Sequence, residues 1–165
     1  MKKFEGNLTR MIQLAEQFFE VKNDPAQLAV TAEVIERLRL LHPRTLNEAT
    51  DHNGPIAWVL VIPTTKFVMR EFLDGKISER DLLEKTLPGT RYDALYLCSA
   101  IVLPEYRGRG IAKRLTMEAV ESIRMDHPIT ALFYWSFSAE GEKLAASVAA
   151  ACGAQLFRRN DKHDT

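Results

Sequence analysis

The sequence has little of several features that mark specialised classes of protein. It contains two cysteines and four histidines, and neither type shows the spacing of zinc ligands or of a disulfide framework, so we expect no metal and reduced thiols. Lys plus Arg and Asp plus Glu both number 22, so no net charge draws the chain onto nucleic acid or an anionic membrane. No apolar run reaches membrane-spanning length, and the opening MKKFEGNLTR is too polar for a signal peptide. These absences predict a cytoplasmic protein that binds neither membranes nor nucleic acid.

What the sequence does contain is typical of an ordinary globular protein. Apolar residues make up 46% of the chain and charged residues 27%, which excludes disordered and collagen-like classes. A length of 165 residues suits one domain with one core, so we predict a single domain over 1–165. Within it we distinguish a helical N-terminal part (1–43), a helical insert (64–89) and a core (92–157).

The N-terminal part shows two helical patterns. Apolar residues recur at helical spacing from Asn7 to Glu20, and Asn7 is placed to cap the first turn. The run Asp24-Pro25 opens a second pattern that stops at His42-Pro43. We therefore predict two amphipathic helices before the first strand.

The remaining elements predict a mixed α/β fold. The stretches 44–51 and 56–62 flank turn residues and favour a hairpin, and two short helices follow over 65–73 and 78–85. Tyr92 to Leu103 and Thr130 to Trp135 are apolar on both alternating faces, as in covered strands. Helices over 111–126 and 139–151 and a last strand over 154–157 complete two strand-then-helix units, which predict adjacent parallel strands.

A short glycine-rich segment, PEYRGRGIA, lies between the strand ending near Leu103 and the following helix. Gly108 and Gly110 stand where the first N–H groups of a helix lack partners, which is a position that suits an anion. Arg107 and Arg109 add positive charge there. The spacing fits neither a Walker loop nor a dinucleotide fingerprint. A simple turn with solvated arginines is the alternative interpretation.

The stretch Val102-Leu103-Pro104-Glu105-Tyr106-Arg107-Gly108-Arg109-Gly110-Ile111-Ala112 resembles the acyl-CoA pyrophosphate loop of the GNAT superfamily of N-acyltransferases. In the family pattern Q/R-x-x-G-x-G/A, Arg107 fills the first position, Gly110 the fourth and Ala112 the sixth. The resemblance implies a GNAT-like fold: a mixed, mostly antiparallel sheet with a splayed parallel strand pair and flanking helices.

The resemblance also implies a reaction and a binding site. Acetyl-CoA would be the co-substrate, without a metal, and an unidentified amine would attack the thioester directly. Val102, Arg107, Gly108, Arg109, Gly110, Ile111 and Ala112 are the implied acyl-CoA-binding residues. A backbone N–H on the central strand, near Val102, would polarise the thioester carbonyl.

The residues for proton transfer are less clear from the sequence. Many GNAT members carry a tyrosine as general acid in the second helix, and aligning Gly153 with the family's glycine puts Ala149 at that position. Tyr96 lies where some members carry a glutamate, and it is our candidate catalytic residue, with core packing as the alternative. Cys98 has no cationic or histidine neighbour in sequence to make it a nucleophile, and Ser138 suits a helix cap.

Two further functions stay open at this stage. The absence of the usual acid fits a non-catalytic acyl-CoA-binding or regulatory protein, which binding without turnover would identify. The other is an RNA-binding module that uses the RGRG segment, but the balanced charge of the chain counts against it. The chain after Gly153 has room for one closing strand, whose free edge a second copy could cover, so a homodimer is also an expectation.

Overall fold

The computed structural model describes residues 6–21, 31–136 and 138–160. Its helices are α1 (Asn7–Val21), α2 (Ala32–Leu41), α3 (Lys66–Leu73), α4 (Glu79–Lys85), α5 (Ile111–Asp126) and α6 (Ala139–Cys152), with a single 3₁₀ turn at Pro104–Tyr106. Its strands are β1 (Leu46–Asp51), β2 (Gly54–Thr64), β3 (Ala94–Val102), β4 (Ala131–Trp135) and β5 (Gln155–Arg159).

The five described strands form one mixed sheet in the order β1-β2-β3-β4-β5. The pairs β1/β2 and β2/β3 are antiparallel, whereas β3/β4 and β4/β5 are parallel. Each parallel pair is joined by a helix, α5 for the first and α6 for the second. This arrangement confirms the predicted fold class, and β3 is the central strand.

The two N-terminal helices begin differently from the sequence prediction. The first helical bond of α1 runs from the Arg10 N–H to the Gly6 carbonyl, so Asn7 lies inside the helix, and its amide donates to Asp51 Oδ1 at 2.6 Å instead of capping. In α2, Thr31 is extended and its side chain accepts from the Val34 N–H, so the helix does not run through Thr31 from Asp24. Asp24 and Pro25 themselves lie outside the described residues.

The other helix ends follow local capping chemistry, including the cap predicted at Ser138. Ser78 and Asp81 form a reciprocal capping box at the start of α4, and Ser138 accepts from the Gly141 N–H at the start of α6. Gly153 ends α6 in the left-handed conformation that favours glycine. The helical insert therefore consists of α3 and α4, between the hairpin and the central strand.

The insert packs on the sheet beside the parallel strands. The Phe72 ring of α3 lies 4.9 Å from Tyr96, 5.8 Å from Phe133 and 5.8 Å from Trp135, between ring centroids. The guanidinium of Arg159 stacks 4.2 Å from the Trp135 ring. An aromatic core therefore joins α3 to β3, β4 and β5, and the insert forms one wall over this part of the sheet.

Candidate functional site

The parallel strands β3 and β4 separate after a short shared segment. Their register covers only Ala94–Tyr96 against Ala131–Phe133, whereas β3 continues to Val102. In contrast, β4 stays in register with β5 from Ala131 to Trp135. A wedge-shaped opening, which we call the fork, therefore begins just beyond Tyr96 and Phe133.

The far half of β3 directs backbone groups into the fork. The Leu103 N–H donates to the Ile56 carbonyl of β2 at 2.9 Å. Because backbone groups alternate between the two edges of a strand, the N–H groups of Ala100 and Val102 are directed away from β2. β4 no longer pairs with β3 at that level, so these two N–H groups face the opening.

An irregularity in β3 lies at the base of the fork. Leu60 pairs with Ser99 while Val61 pairs with Leu97, so Cys98 is an extra residue in the strand. Such bulges bend a strand and re-aim its side chains, and they are common beside functional sites. The Cys98 thiol is half-buried and is 3.7 Å from Glu79 Oε2.

The glycine-rich loop connects the end of β3 to α5 and presents a set of backbone donors. Gly108 and Gly110 have φ of 77° and 75°, a left-handed conformation that side-chain-bearing residues seldom adopt. The first helical bond of α5 is from the Arg114 N–H to the Gly110 carbonyl at 3.0 Å. The N–H groups of Ile111, Ala112 and Lys113 therefore have no intrahelical acceptor, and they carry the positive end of the helix dipole.

Space is open in front of both glycines. A Cβ added at Gly108 or Gly110 would meet no protein atom within 4 Å beyond the adjacent residues of the chain. The glycines are therefore required by the backbone conformation and not by crowding from the protein. The surface beside them has room for a bulky anion.

The loop is held in place by contacts from distant parts of the chain. Arg10 of α1 forms a two-point ion pair with Glu105, with both N–O distances 2.6 Å, and hydrogen bonding to Arg10 lowers the pKa of Glu105. The Tyr106 hydroxyl donates to Asp51 Oδ2 at 2.5 Å. That bond raises the pKa of Tyr106 and lowers the pKa of Asp51. We call these two contacts the loop brace.

The loop arginines have different surroundings. Arg107 Nε donates to the Val102 carbonyl at 3.1 Å, so this side chain folds back toward the mouth of the fork. The Arg109 guanidinium stacks on the Tyr106 ring at 5.2 Å. Both residues are exposed, so their charge is available beside the loop.

Tyr96 lies at the base of the fork and is fully buried. Its ring stacks on Phe133 at 5.1 Å, and its hydroxyl donates to Glu79 Oε2 at 2.5 Å. Burial, followed by the charge of Glu79, raises the pKa of Tyr96 well above its usual value. Tyr96 is therefore a neutral phenol near pH 7, with a carboxylate as its hydrogen-bond acceptor.

The strand fork and the adjoining loop agree with a comparison against protein families. The model of the acetyltransferase (GNAT) family matches residues 9–153, which includes both features. The chain belongs to the GNAT acetyltransferase family. Among curated proteins, none matches the chain significantly.

Two solved structures resemble this chain at low sequence identity. One is an aminoglycoside acetyltransferase, meta-AAC0020, from an uncultured soil metagenomic sample in complex with trehalose; it is 15% identical, with a TM-score of 0.50 over 90% of this chain and 82% of that chain. The same enzyme in complex with sisomicin is 16% identical, with a TM-score of 0.48 over 86% and 78%. The first likeness confirms the GNAT fold.

Helix α6 carries no tyrosine at the position where the family resemblance placed the general acid. Ala149 is buried on α6, where the family resemblance implied a tyrosine. Glu142, in the first turn of the same helix, accepts from Ser136 at 2.8 Å and pairs with Arg158 at 2.8 Å. Ser138 serves as a helix cap.

Sequence reasoning missed three parts of this site. Glu79 lies within the helix predicted over 78–85, and nothing in the sequence indicates that it is 1% exposed and bonded to Tyr96. The N–H of Ala100 could have been found only from the register with β2. The loop brace joins residues up to 95 positions apart, and no local pattern predicts such pairs.

Within the described residues, no group of three or more His, Cys, Asp or Glu is arranged to hold a metal, and none of the described helices is long and apolar enough to cross a membrane.

Proposed function

We propose that this protein transfers an acetyl group from acetyl-CoA to a small or protein-borne amine. The observation that carries this proposal is the fork, with two backbone N–H groups facing it, directly joined to a loop of left-handed glycines at a helix N-terminus. The fork suits a thioester held between strands, and the glycine loop suits a pyrophosphate. Their connection through β3 fits one extended ligand.

The loop is the proposed phosphate site. The N–H groups of Ile111 and Ala112 would donate to the pyrophosphate, and the conformations of Gly108 and Gly110 keep the backbone accessible. Arg107 and Arg109 would add charge at the mouth. The loop brace orders the loop before the ligand arrives, which reduces the entropy lost on binding.

The far half of β3 is the proposed site of carbonyl polarisation. The N–H groups of Val102 and Ala100 are fixed by the pairing with β2, so they need no reorganisation to stabilise the negative charge that develops on the thioester oxygen. Holding the amine beside this carbonyl lowers the barrier further, because the attack then becomes effectively intramolecular. Tyr96 remains our predicted participant in proton transfer.

The second candidate is an acyl-CoA-binding protein without turnover. Ala149 favours it, because a buried methyl group on α6 cannot protonate a departing thiolate. A thiolate of CoA leaves without an acid more readily than an alkoxide does, however, since a thiol has a much lower pKa. The absence of that tyrosine therefore does not by itself exclude acetyl transfer.

Turnover separates the two candidates. The assay is release of free CoA thiol from acetyl-CoA in the presence of individual amines: spermidine, glucosamine, L-lysine, sisomicin and a short peptide with a free N-terminus. Acetylation of any of them, confirmed by product mass and absent in a Gly110→Asp variant, is the expected result. Tight acetyl-CoA binding with no product from a wider amine panel would favour the regulatory candidate.

The remaining expectations belong to this proposal as well. We infer a cytoplasmic protein that needs no metal and binds neither membranes nor nucleic acid. The outer edge of β5 is unpaired within the described sheet, and a homodimer that covers it is a further expectation. Sedimentation at several concentrations tests the dimer.

A further inference from the structure

We propose that Glu79, carried by the helical insert, is the proton acceptor behind Tyr96 in the acetyl transfer reaction. This inference rests on the proposed function, and it assigns a role to a buried carboxylate. Glu79 is the first residue of α4 and is 1% exposed. Its position beside the fork comes from tertiary packing and not from the strand.

The first step of the argument is the cost of burying a carboxylate. A buried, ionised side chain is expensive unless other groups satisfy it. Two donors, the Tyr96 hydroxyl at 2.5 Å and the Cys98 thiol at 3.7 Å, converge on one oxygen, Oε2. Arg159 of β5 is within electrostatic range of the same phenol. The chain has therefore built a complete polar cluster at this point of its core.

The second step is the location of the cluster. Tyr96 is the last β3 residue in register with β4, and Cys98 is the bulged residue just beyond it. Both donors to Glu79 thus flank the point where the strands separate. A thioester held between the strands would have this cluster on the side of the sheet that the insert covers.

The third step is the chemistry of the phenol. A buried tyrosine whose pKa is raised is not ionised near pH 7, so Tyr96 alone cannot act as a base. A phenol that donates to a carboxylate can accept a proton on its oxygen while it passes its own proton to that carboxylate. Glu79 supplies the acceptor that this relay requires.

The proton balance is then complete. The substrate ammonium gives one proton to the Tyr96 oxygen as the Tyr96 proton moves to Glu79 Oε2, which leaves a free amine. The amine nitrogen bonds to the thioester carbon, the carbon–sulfur bond breaks, and the second nitrogen proton ends on the CoA thiolate. Tyr96 and Glu79 are both buried in this structure, so the relay requires the fork to open at Tyr96 when acetyl-CoA and the amine enter. Through the same opening Glu79 returns its proton to water by way of Tyr96, so the products are the amide, CoA thiol and one proton.

A purely structural role is the competing explanation, since Glu79 also ties the insert to the sheet. Glu79→Gln separates the two roles because glutamine keeps an oxygen that can accept from Tyr96 but cannot take a proton. The matched control is Glu84→Gln, which makes the same change at an exposed position of the same helix.

The experiment measures kcat, KM for acetyl-CoA and their pH dependence with the panel amine of highest turnover. For Glu79→Gln we expect kcat to fall on the order of 100-fold or more, with the acetyl-CoA KM and dissociation constant within about threefold of wild type. In wild type the rate should reach a plateau with rising pH, because the relay removes the ammonium proton. The rate of the variant should keep rising with pH as the free amine fraction rises. Glu84→Gln should match wild type.

A second variant covers the event that Glu79→Gln does not fold. Tyr96→Phe removes the relay atom and keeps the ring, and it should give the same loss of kcat and of the pH plateau. A folded Glu79→Gln or Tyr96→Phe protein with wild-type kcat and pH profile would overturn the relay while leaving the proposed function intact. A wild-type protein that binds acetyl-CoA and acetylates no amine would overturn both.

Discussion

Replacing Gly110 by aspartate, with asparagine as the matched control, tests the phosphate site most sharply. Gly110 has φ of 75°, so any side chain there is strained, but Asn and Asp tolerate this region better than other residues and have nearly the same shape. A Cβ at this position meets no protein atom within 4 Å beyond the adjacent residues of the chain. The two variants should therefore carry equal strain and differ only in charge.

The expected difference follows from Coulomb's law. A carboxylate about 5 Å from a phosphate charge, at an effective dielectric constant of about 20 to 80, costs about 1–3 kcal/mol. This corresponds to a ratio of roughly 5 to 160 between the two dissociation constants for acetyl-CoA. Calorimetric titration at low salt measures the ratio directly.

Two further measurements complete the test. The free energies of unfolding of the two variants should differ by no more than the interaction of the carboxylate with the helix dipole, about 0.3–1 kcal/mol, and a larger difference would show that the strain is not matched. The ratio of dissociation constants should shrink as salt is added, and it should vanish with a pantetheine fragment that lacks the pyrophosphate. Equal affinities of the two variants for acetyl-CoA at low salt would refute phosphate binding at this loop.

Three further predictions address the surroundings of the site. Tyr106→Phe removes the donor to Asp51, so the loop should be less ordered before the ligand binds. The dissociation constant for acetyl-CoA, measured by titration, should then rise about 2- to 12-fold. An unchanged constant would mean that the loop brace does not order the loop for binding. Arg109→Ala should weaken acetyl-CoA binding at low salt and much less at high salt, and a loss independent of salt would contradict a phosphate contact. His127 accepts from the Tyr92 N–H, and its pKa in the folded protein is lowered by burial and then by His42. The neutral His127 ring therefore contributes fully to the stability of the fold above pH 6.5, and this contribution is lost as pH falls below that value. His127→Asn keeps an acceptor without a titrating ring, so urea unfolding from pH 7 to pH 5 should show a weaker pH dependence than in wild type, and an equal dependence would contradict this assignment.

The elements governed by local patterns could be predicted from the sequence. The doubly apolar runs that became β3 and β4 stand out because covered strands have no polar face, and Ser78, Ser138 and Gly153 mark helix ends through chemistry within three or four residues. The glycine-rich loop stood out because its conformation requires glycines at fixed spacing. The insert helices predicted over 65–73 and 78–85 likewise begin at local caps, Thr65 and Ser78.

The parts set by tertiary contacts could not be predicted. Asn7 is a good capping residue, yet its amide donates to Asp51, 44 positions away, because the hairpin lies beside the start of α1. Glu79 is an acidic residue in a first helical turn, which usually means exposure, and only the packing of the insert buries it against Tyr96. The direction of the Ala100 and Val102 N–H groups depends on strand register. The sequence named Tyr96 as a candidate for proton transfer, but it did not indicate Glu79, the partner that tertiary packing brings to it.

Titration of the purified protein with acetyl-CoA, in parallel with a pantetheine analogue that lacks the pyrophosphate, tests the central claim most directly. We expect micromolar binding of acetyl-CoA at one site per chain, and binding at least about tenfold weaker without the pyrophosphate. Heat of binding that is equal for the two compounds, or absent for both, would contradict the account and leave the segment from Pro104 to Ala112 as a simple turn between β3 and α5.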